Sequence, residues 1–140
     1  MSEAPIRIGV IGLGRAFTLM LPTFQLDRRV QLVAACDPIA VAREQFGRDF
    51  GGRVYEDAEA LCSDDKVELV YIASPHQHHA AHVQLAARAG KHVLVEKPMA
   101  ITLAECSAMI EAMQSAQRAL IVGHSHSFDA PVIKARAVID

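Results

Sequence analysis

The residues best placed to do chemistry begin at Gly12-Leu13-Gly14-Arg15-Ala16-Phe17, directly after the apolar run Ile6–Ile11. A strand that enters a glycine turn and then a helix can bind an anion. Gly12 can adopt turn angles that a Cβ forbids. Gly14 lets the main chain come close to a diphosphate. The unpaired N–H groups at the helix start, with the helix dipole behind them, then hold the charge. Phe17 occupies the third position of the GxGxxG pattern, where glycine serves helix–strand packing. A wider contact is expected there, with the phosphate loop retained. By itself the loop is equally an ordinary strand-to-helix turn, and its context decides.

That context includes Asp37, at the end of the second apolar run, Val30–Cys36. An acidic residue roughly 20 residues beyond the loop accepts hydrogen bonds from the adenosine ribose hydroxyls. It also repels a 2′-phosphate. Pro38 follows, so no basic residue stands beside Asp37, and NAD is favoured over NADP. Arg43 is close enough in sequence to keep NADP possible. The simpler role for Asp37 is to cap the next helix.

Three later strand ends carry polar, titratable groups. They are Ser74-Pro75-His76-Gln77-His78-His79, Glu96-Lys97-Pro98, and His124-Ser125-His126-Ser127-Phe128. In an open α/β sheet, ligands lie beyond the carboxyl ends of the strands. These segments therefore belong where a nicotinamide and a substrate would sit. His78 and His82 have zinc-compatible i, i+4 spacing, but the sequence supplies no evident third ligand, and no metal is assigned.

The elements that must position these residues follow from periodicity. Strands are expected at Ile6–Ile11, Val30–Cys36, Leu69–Ala73, His92–Val95 and Ala119–Val122, with a weaker one at Arg53–Tyr55. Helical spacing covers Phe17–Leu26, Ile39–Phe50, Asp57–Cys62, Gln77–Ala89, Thr102–Gln117 and Ala130–Ile139. Thr102 and Glu105 form a capping-box pattern. Strict alternation of strand and helix predicts a parallel sheet with right-handed crossovers. Six strands predict the α/β doubly wound dinucleotide fold, order 3-2-1-4-5-6.

Composition agrees. The 140 residues fit one domain, and 51% are hydrophobic with only 5% aromatic, as suits a sheet buried on both faces. Net charge is −2, and no basic stripe points to nucleic acid. Cys36, Cys62 and Cys106 are scattered without a CxxC, as expected of reduced thiols in a cytoplasmic protein. No apolar stretch reaches the roughly 18 residues of a membrane span, and no signal peptide is evident at the start.

Ala89-Gly90-Lys91-His92-Val93-Leu94-Val95-Glu96-Lys97-Pro98 resembles the "AGKHVLxEKP" segment of the glucose-fructose oxidoreductase / inositol dehydrogenase / MocA family. Ser74-Pro75-His76-Gln77-His78-His79 resembles that family's "T-P-N-x-x-H" loop, with His76 in the Asn position and His79 on the histidine. The Gly12 loop and Asp37 align as well. The resemblance covers essentially the whole chain. It implies an enzyme of two domains that moves a hydride between NAD(P) and a hydroxyl carbon of a sugar, polyol or related diol. It makes Lys97 the catalytic residue, beside nicotinamide and substrate. Ser74, Pro75, His76, His79, Glu96 and Lys97 join the cofactor site, with His79 facing the cofactor. Where the family often has Asn and Arg after the sixth strand, this chain has His124 and His126. That run is more similar to the dihydroxyphthalate (phthalate dihydrodiol) dehydrogenase branch, and the two histidines become expected substrate contacts.

The resemblance implies that residues 1–140 are the NAD(P)-binding half, that the α/β substrate domain is absent, and that the complete protein is a homo-oligomer. Two rivals remain: a non-catalytic NAD-binding or sensing module, and a methyltransferase. The Glu96-Lys97-Pro98 segment argues against both.

Overall fold

The computed structural model describes residues 4–139. Six strands form one parallel sheet: β1 (Ile6–Ile11), β2 (Val30–Cys36), β3 (Arg53–Tyr55), β4 (Leu69–Ile72), β5 (His92–Glu96) and β6 (Leu120–Gly123). Their order is β3-β2-β1-β4-β5-β6, the doubly wound order expected from the sequence. The helices are α1 (Arg15–Leu26), α2 (Ala40–Phe50), α3 (Ala58–Cys62), α4 (His79–Arg88), α5 (Leu103–Ser115) and α6 (Ala130–Ile139). Short 3-10 turns precede α4 at His76–His78 and α6 at Ser125–Phe128.

Side chains alternate between the two faces of each strand, and both faces of the central strands are buried. On one face, Val70 and Ile72 of β4 pack with Val93 and Val95 of β5 beneath Leu61, Val83, Met109 and Met113 of α3, α4 and α5. On the other, Ile8 and Val10 of β1 pack with Tyr71 beneath Phe17, Phe24 and Phe46 of α1 and α2. The second face thins out toward β6. Ile121 is 53% exposed, and none of the described residues of α6 is buried.

Element ends differ from the sequence expectation by one or two residues at several places. α1 starts at Arg15, two residues before Phe17, because Gly14 is already the N-cap and the loop turns directly into the helix. β4 stops at Ile72, and β5 runs on to Glu96. The bounds matter for the site. They bring Gly12, Asp37, Ala73 and Lys97 to the residue just beyond, or next to, the carboxyl ends of four neighbouring strands.

Candidate functional site

The first wall of the site is the glycine turn. Gly12 has φ +93°, and a Cβ there would stand 2.7 Å from the Ser74 nitrogen and 2.9 Å from the Ala73 oxygen. Only glycine allows β1 and β4 to leave the sheet this close together. Gly14 is different: a Cβ would meet nothing within 4 Å. The fold does not need glycine at that position, so its missing side chain leaves space open on the solvent side. The first helical bond of α1 is donated by Thr18 to the Gly14 carbonyl at 3.1 Å. The N–H groups of Arg15, Ala16 and Phe17 precede it and face outward from the helix end. The first turn of α1 carries no acidic residue. By contrast, Asp57 caps α3 and a Thr102–Glu105 capping box closes α5. The end of α1 therefore keeps its positive partial charge.

Asp37 forms the second wall. Its carboxylate accepts the Leu13 N–H on Oδ2 and the Ile39 N–H on Oδ1, both at 2.8 Å. One side chain thus holds the glycine loop and the entrance to α2, and each oxygen retains a lone pair for a ligand hydroxyl. Capping and binding, separate readings in the sequence, are compatible in the structure. Arg43 donates to the Asp37 and Pro38 carbonyls at 2.7 and 3.1 Å and to Glu56 at 3.1 Å. Its guanidinium is occupied by the turn and matched by a carboxylate.

The third wall comes from β4 and α4. The His82 Nδ1 and the Ser74 hydroxyl lie 2.9 Å apart, and the His78 and His82 rings stand 5.9 Å apart. Burial pushes the His82 pKa down to about 4, helped by the neighbouring His78 and His79 rings. A neutral imidazole therefore faces the space. These walls enclose a cleft of about 640 Å³ bordered by Gly12, Gly14, Asp37, Ile39, Ser74 and His82. A larger hollow, about 910 Å³, lies at the amino-terminal edge of the sheet. Its charged groups are engaged by the fold: Arg7 pairs with Glu68, Lys91 donates to the Asp64 and Val67 carbonyls, and Arg118 donates to the Gly90 carbonyl. The carboxyl edge is where an α/β sheet takes its ligand.

Lys97 follows β5 on that same edge and is exposed, beside the cis peptide bond to Pro98. Glu96 accepts the Tyr71 hydroxyl at 2.8 Å and the Lys97 N–H at 3.3 Å. Gly123 pairs with Glu96 in the β5–β6 register, so His124 emerges beside the Glu96–Lys97 turn. His126 is exposed and lies 2.9 Å from Asp129.

Phe17 makes the wider packing contact expected of it, and His79 stands elsewhere than expected. Phe17 is buried and packs on Phe46 with ring centroids 6.2 Å apart; only its backbone is at the loop. His79, expected to face the cofactor, is 1% exposed. Its ring nitrogens lie 2.9 Å from the Ser74 carbonyl and 3.0 Å from the Pro98 carbonyl. The histidines that border the cleft are His78 and His82. The sequence signal for them was the His78/His82 spacing, which places both on one helix face. Tyr71 had a weaker signal: a hydroxyl inside an apolar strand needs a partner. Glu56, on the β3–α3 connection, carried none. Two of the three thiols, Cys36 and Cys62, are buried. Burial raises Cys36 to about 12 and Cys62 to about 11. Among the described residues no helix is long and apolar enough to cross a membrane, and no group of three or more His, Cys, Asp or Glu could hold a metal ion.

The open Gly14 position, the uncapped helix end and the Asp37 carboxylate fit the diphosphate and ribose of a dinucleotide. Comparison with known proteins agrees. Residues 6–124 match a family described as an oxidoreductase family with an NAD-binding Rossmann fold. The 1-carboxy-3-chloro-3,4-dihydroxycyclohexa-1,5-diene dehydrogenase of Comamonas testosteroni is 57% identical over 136 residues, 96% of this chain and 34% of that protein. The myo-inositol 2-dehydrogenase of Thermotoga maritima is 31% identical over 139 residues, 96% of this chain and 41% of that protein. Biliverdin reductase from Synechocystis, solved with biliverdin and NADP+, superposes with a TM-score of 0.86 at 31% identity, over 96% of this chain and 43% of that one. The chain therefore spans well under half the length of these relatives.

Proposed function

Because this chain belongs to the Gfo/Idh/MocA oxidoreductase family and carries its NAD-binding Rossmann fold, we propose that it is the dinucleotide-binding domain of a dehydrogenase acting on a cyclic diol. The observation that carries the reading is one line of contacts along the carboxyl edge. Gly12 abuts Ser74, the Ser74 carbonyl meets His79, and His79 meets the Pro98 carbonyl, one residue beyond Lys97. The anion-binding turn and the lysine follow strands on either side of β4, at the same edge of the sheet.

In this reading the N–H groups at Gly14–Phe17 bind the diphosphate, and Arg15 adds charge beside it. Asp37 takes the ribose hydroxyls. NAD is preferred over NADP because Asp37 and Glu56 repel a 2′-phosphate while Arg43 is tied to the Asp37–Pro38 turn. The bound nicotinamide supplies the hydride acceptor. Lys97 donates a hydrogen bond to the reacting oxygen and assists the departure of its proton to solvent, its ammonium stabilising alkoxide character as the C–H bond breaks. His124, beside the Lys97 turn, and His126 contact the diol. Ser74, Pro75, His76 and Glu96 border the nicotinamide end.

The cyclic-diol substrate rests on the 57% identical relative, whose name specifies a dihydroxycyclohexadiene, and on His124 and His126. We place catalysis in the cytoplasm, in an oligomer, with a second domain packed over the open β5–β6 and α6 face. The decisive experiment titrates NAD and NADP into the full-length protein and assays dihydrodiols with the wild type and Lys97→Met. The expected outcome is saturable NAD binding in both and a loss of about 10²-fold or more in kcat for the variant. Full activity in Lys97→Met would reject the lysine's role. Absence of binding by either nucleotide would reject the reading as a whole.

A further inference from the structure

We propose that His79 is a positioning residue for Lys97: its ring ties the loop that abuts the glycine turn to the turn that presents the lysine. The inference rests on Lys97 being the proton-handling group. The two ties join segments far apart in sequence. One ring nitrogen meets the Ser74 carbonyl at 2.9 Å, and the other meets the Pro98 carbonyl at 3.0 Å. Ser74 is the residue whose nitrogen touches the Gly12 position, and Pro98 follows Lys97 directly.

Both partners are carbonyl oxygens, and a carbonyl only accepts. In either tautomer the ring N–H donates to one of them, and the ring fills the space between the two oxygens. His79 is 1% exposed, so water does not compete for that hydrogen bond. A phenylalanine or leucine would fill the space equally well. The fold instead places a hydrogen-bonding ring between the ends of β4 and β5, which is the direction in which error would displace Lys97 from a dinucleotide on the glycine turn. A misplacement on the order of 1 Å costs about 10²-fold in rate.

The test compares His79→Ala, His79→Phe and His79→Gln with wild type and Lys97→Met in the full-length protein. Expected are a fall in kcat of at least tenfold for Ala and Phe, NAD affinity within about threefold of wild type, and partial recovery with Gln, whose amide donates two hydrogens. Wild-type kcat in the Phe variant would overturn the inference. So would a kcat loss matched by an equal loss of NAD affinity, which marks general loosening. A fully active Lys97→Met would reject the lysine reading itself, whereas an impaired Lys97→Met beside a fully active His79→Phe would reject the positioning role alone.

Discussion

The Tyr71 hydroxyl, at the centre of the sheet, donates a 2.8 Å hydrogen bond to the Glu96 carboxylate, one residue before Lys97. Burial raises the Tyr71 pKa above its ordinary value, and the Glu96 carboxylate adds to the shift. The phenol therefore stays protonated and keeps donating. A hydrogen bond to a charged group contributes about 1.5–3 kcal/mol. Tyr71→Phe should lose stability in that range, measured by urea denaturation, and should lower kcat more than it raises the KM for NAD. Unchanged stability would show that water replaces the phenol at Glu96.

The two glycines of the turn should separate folding from binding. Gly12→Ala places a Cβ within 2.7 Å of backbone at φ +93° and should destabilise the fold by about 2 kcal/mol or more. Gly14→Ala meets nothing within 4 Å and should melt within a few degrees of wild type. It should still weaken NAD binding at least tenfold, because the added methyl occupies the approach to the diphosphate. Thermal melts and calorimetric titration read the two effects independently. A Gly14→Ala protein that binds normally would remove the diphosphate from this position.

Nucleotide choice should follow the carboxylates. Asp37→Asn removes the charge that opposes a 2′-phosphate and leaves only one acceptor oxygen for the Leu13 and Ile39 N–H groups. It should weaken NAD binding, cost about 1 kcal/mol of stability, and bring the NAD and NADP dissociation constants closer together. Glu56→Lys replaces the partner of Arg43 with a second cation, and should strengthen NADP binding without loss of stability. Identical nucleotide ratios in wild type and both variants would place the ribose elsewhere.

His82 predicts a pH dependence with a definite sign. Its pKa is lowered in the folded state to about 4, below the ordinary 6.5. Between those values the unfolded chain holds more protons. Stability should therefore be complete above about pH 6.5 and decline as pH falls toward 4. His82→Gln should flatten that slope. The check is the urea midpoint at several pH values between 4 and 7.5. Equal slopes in wild type and variant would assign the dependence to other groups.

Much of this was legible from residue order alone, for reasons that differ by element. The strand order was readable because alternating apolar runs and helical stretches, joined by right-handed crossovers, leave few parallel arrangements. Gly12 and Asp37 were readable because their roles lie within a few residues of their own strand ends. The place of Lys97 on the same edge as Gly12 follows from the end of β5 at Glu96 and the strand order. The histidines were harder. His79 and His82 sit three positions apart on one helix, and the direction of each side chain depends on what α4 packs against.

Local sequence therefore determined the turns, the caps and the edge of the sheet at which chemistry would gather, since these depend on neighbours along the chain. Tertiary structure alone decided which histidine is buried against two carbonyls and which borders the cleft. It also decided that Tyr71 reaches Glu96 and that Arg43 is held by Glu56. Those partners are 13, 19 or 25 positions apart and bridge separate elements, and no periodicity encodes a meeting that packing across the sheet creates.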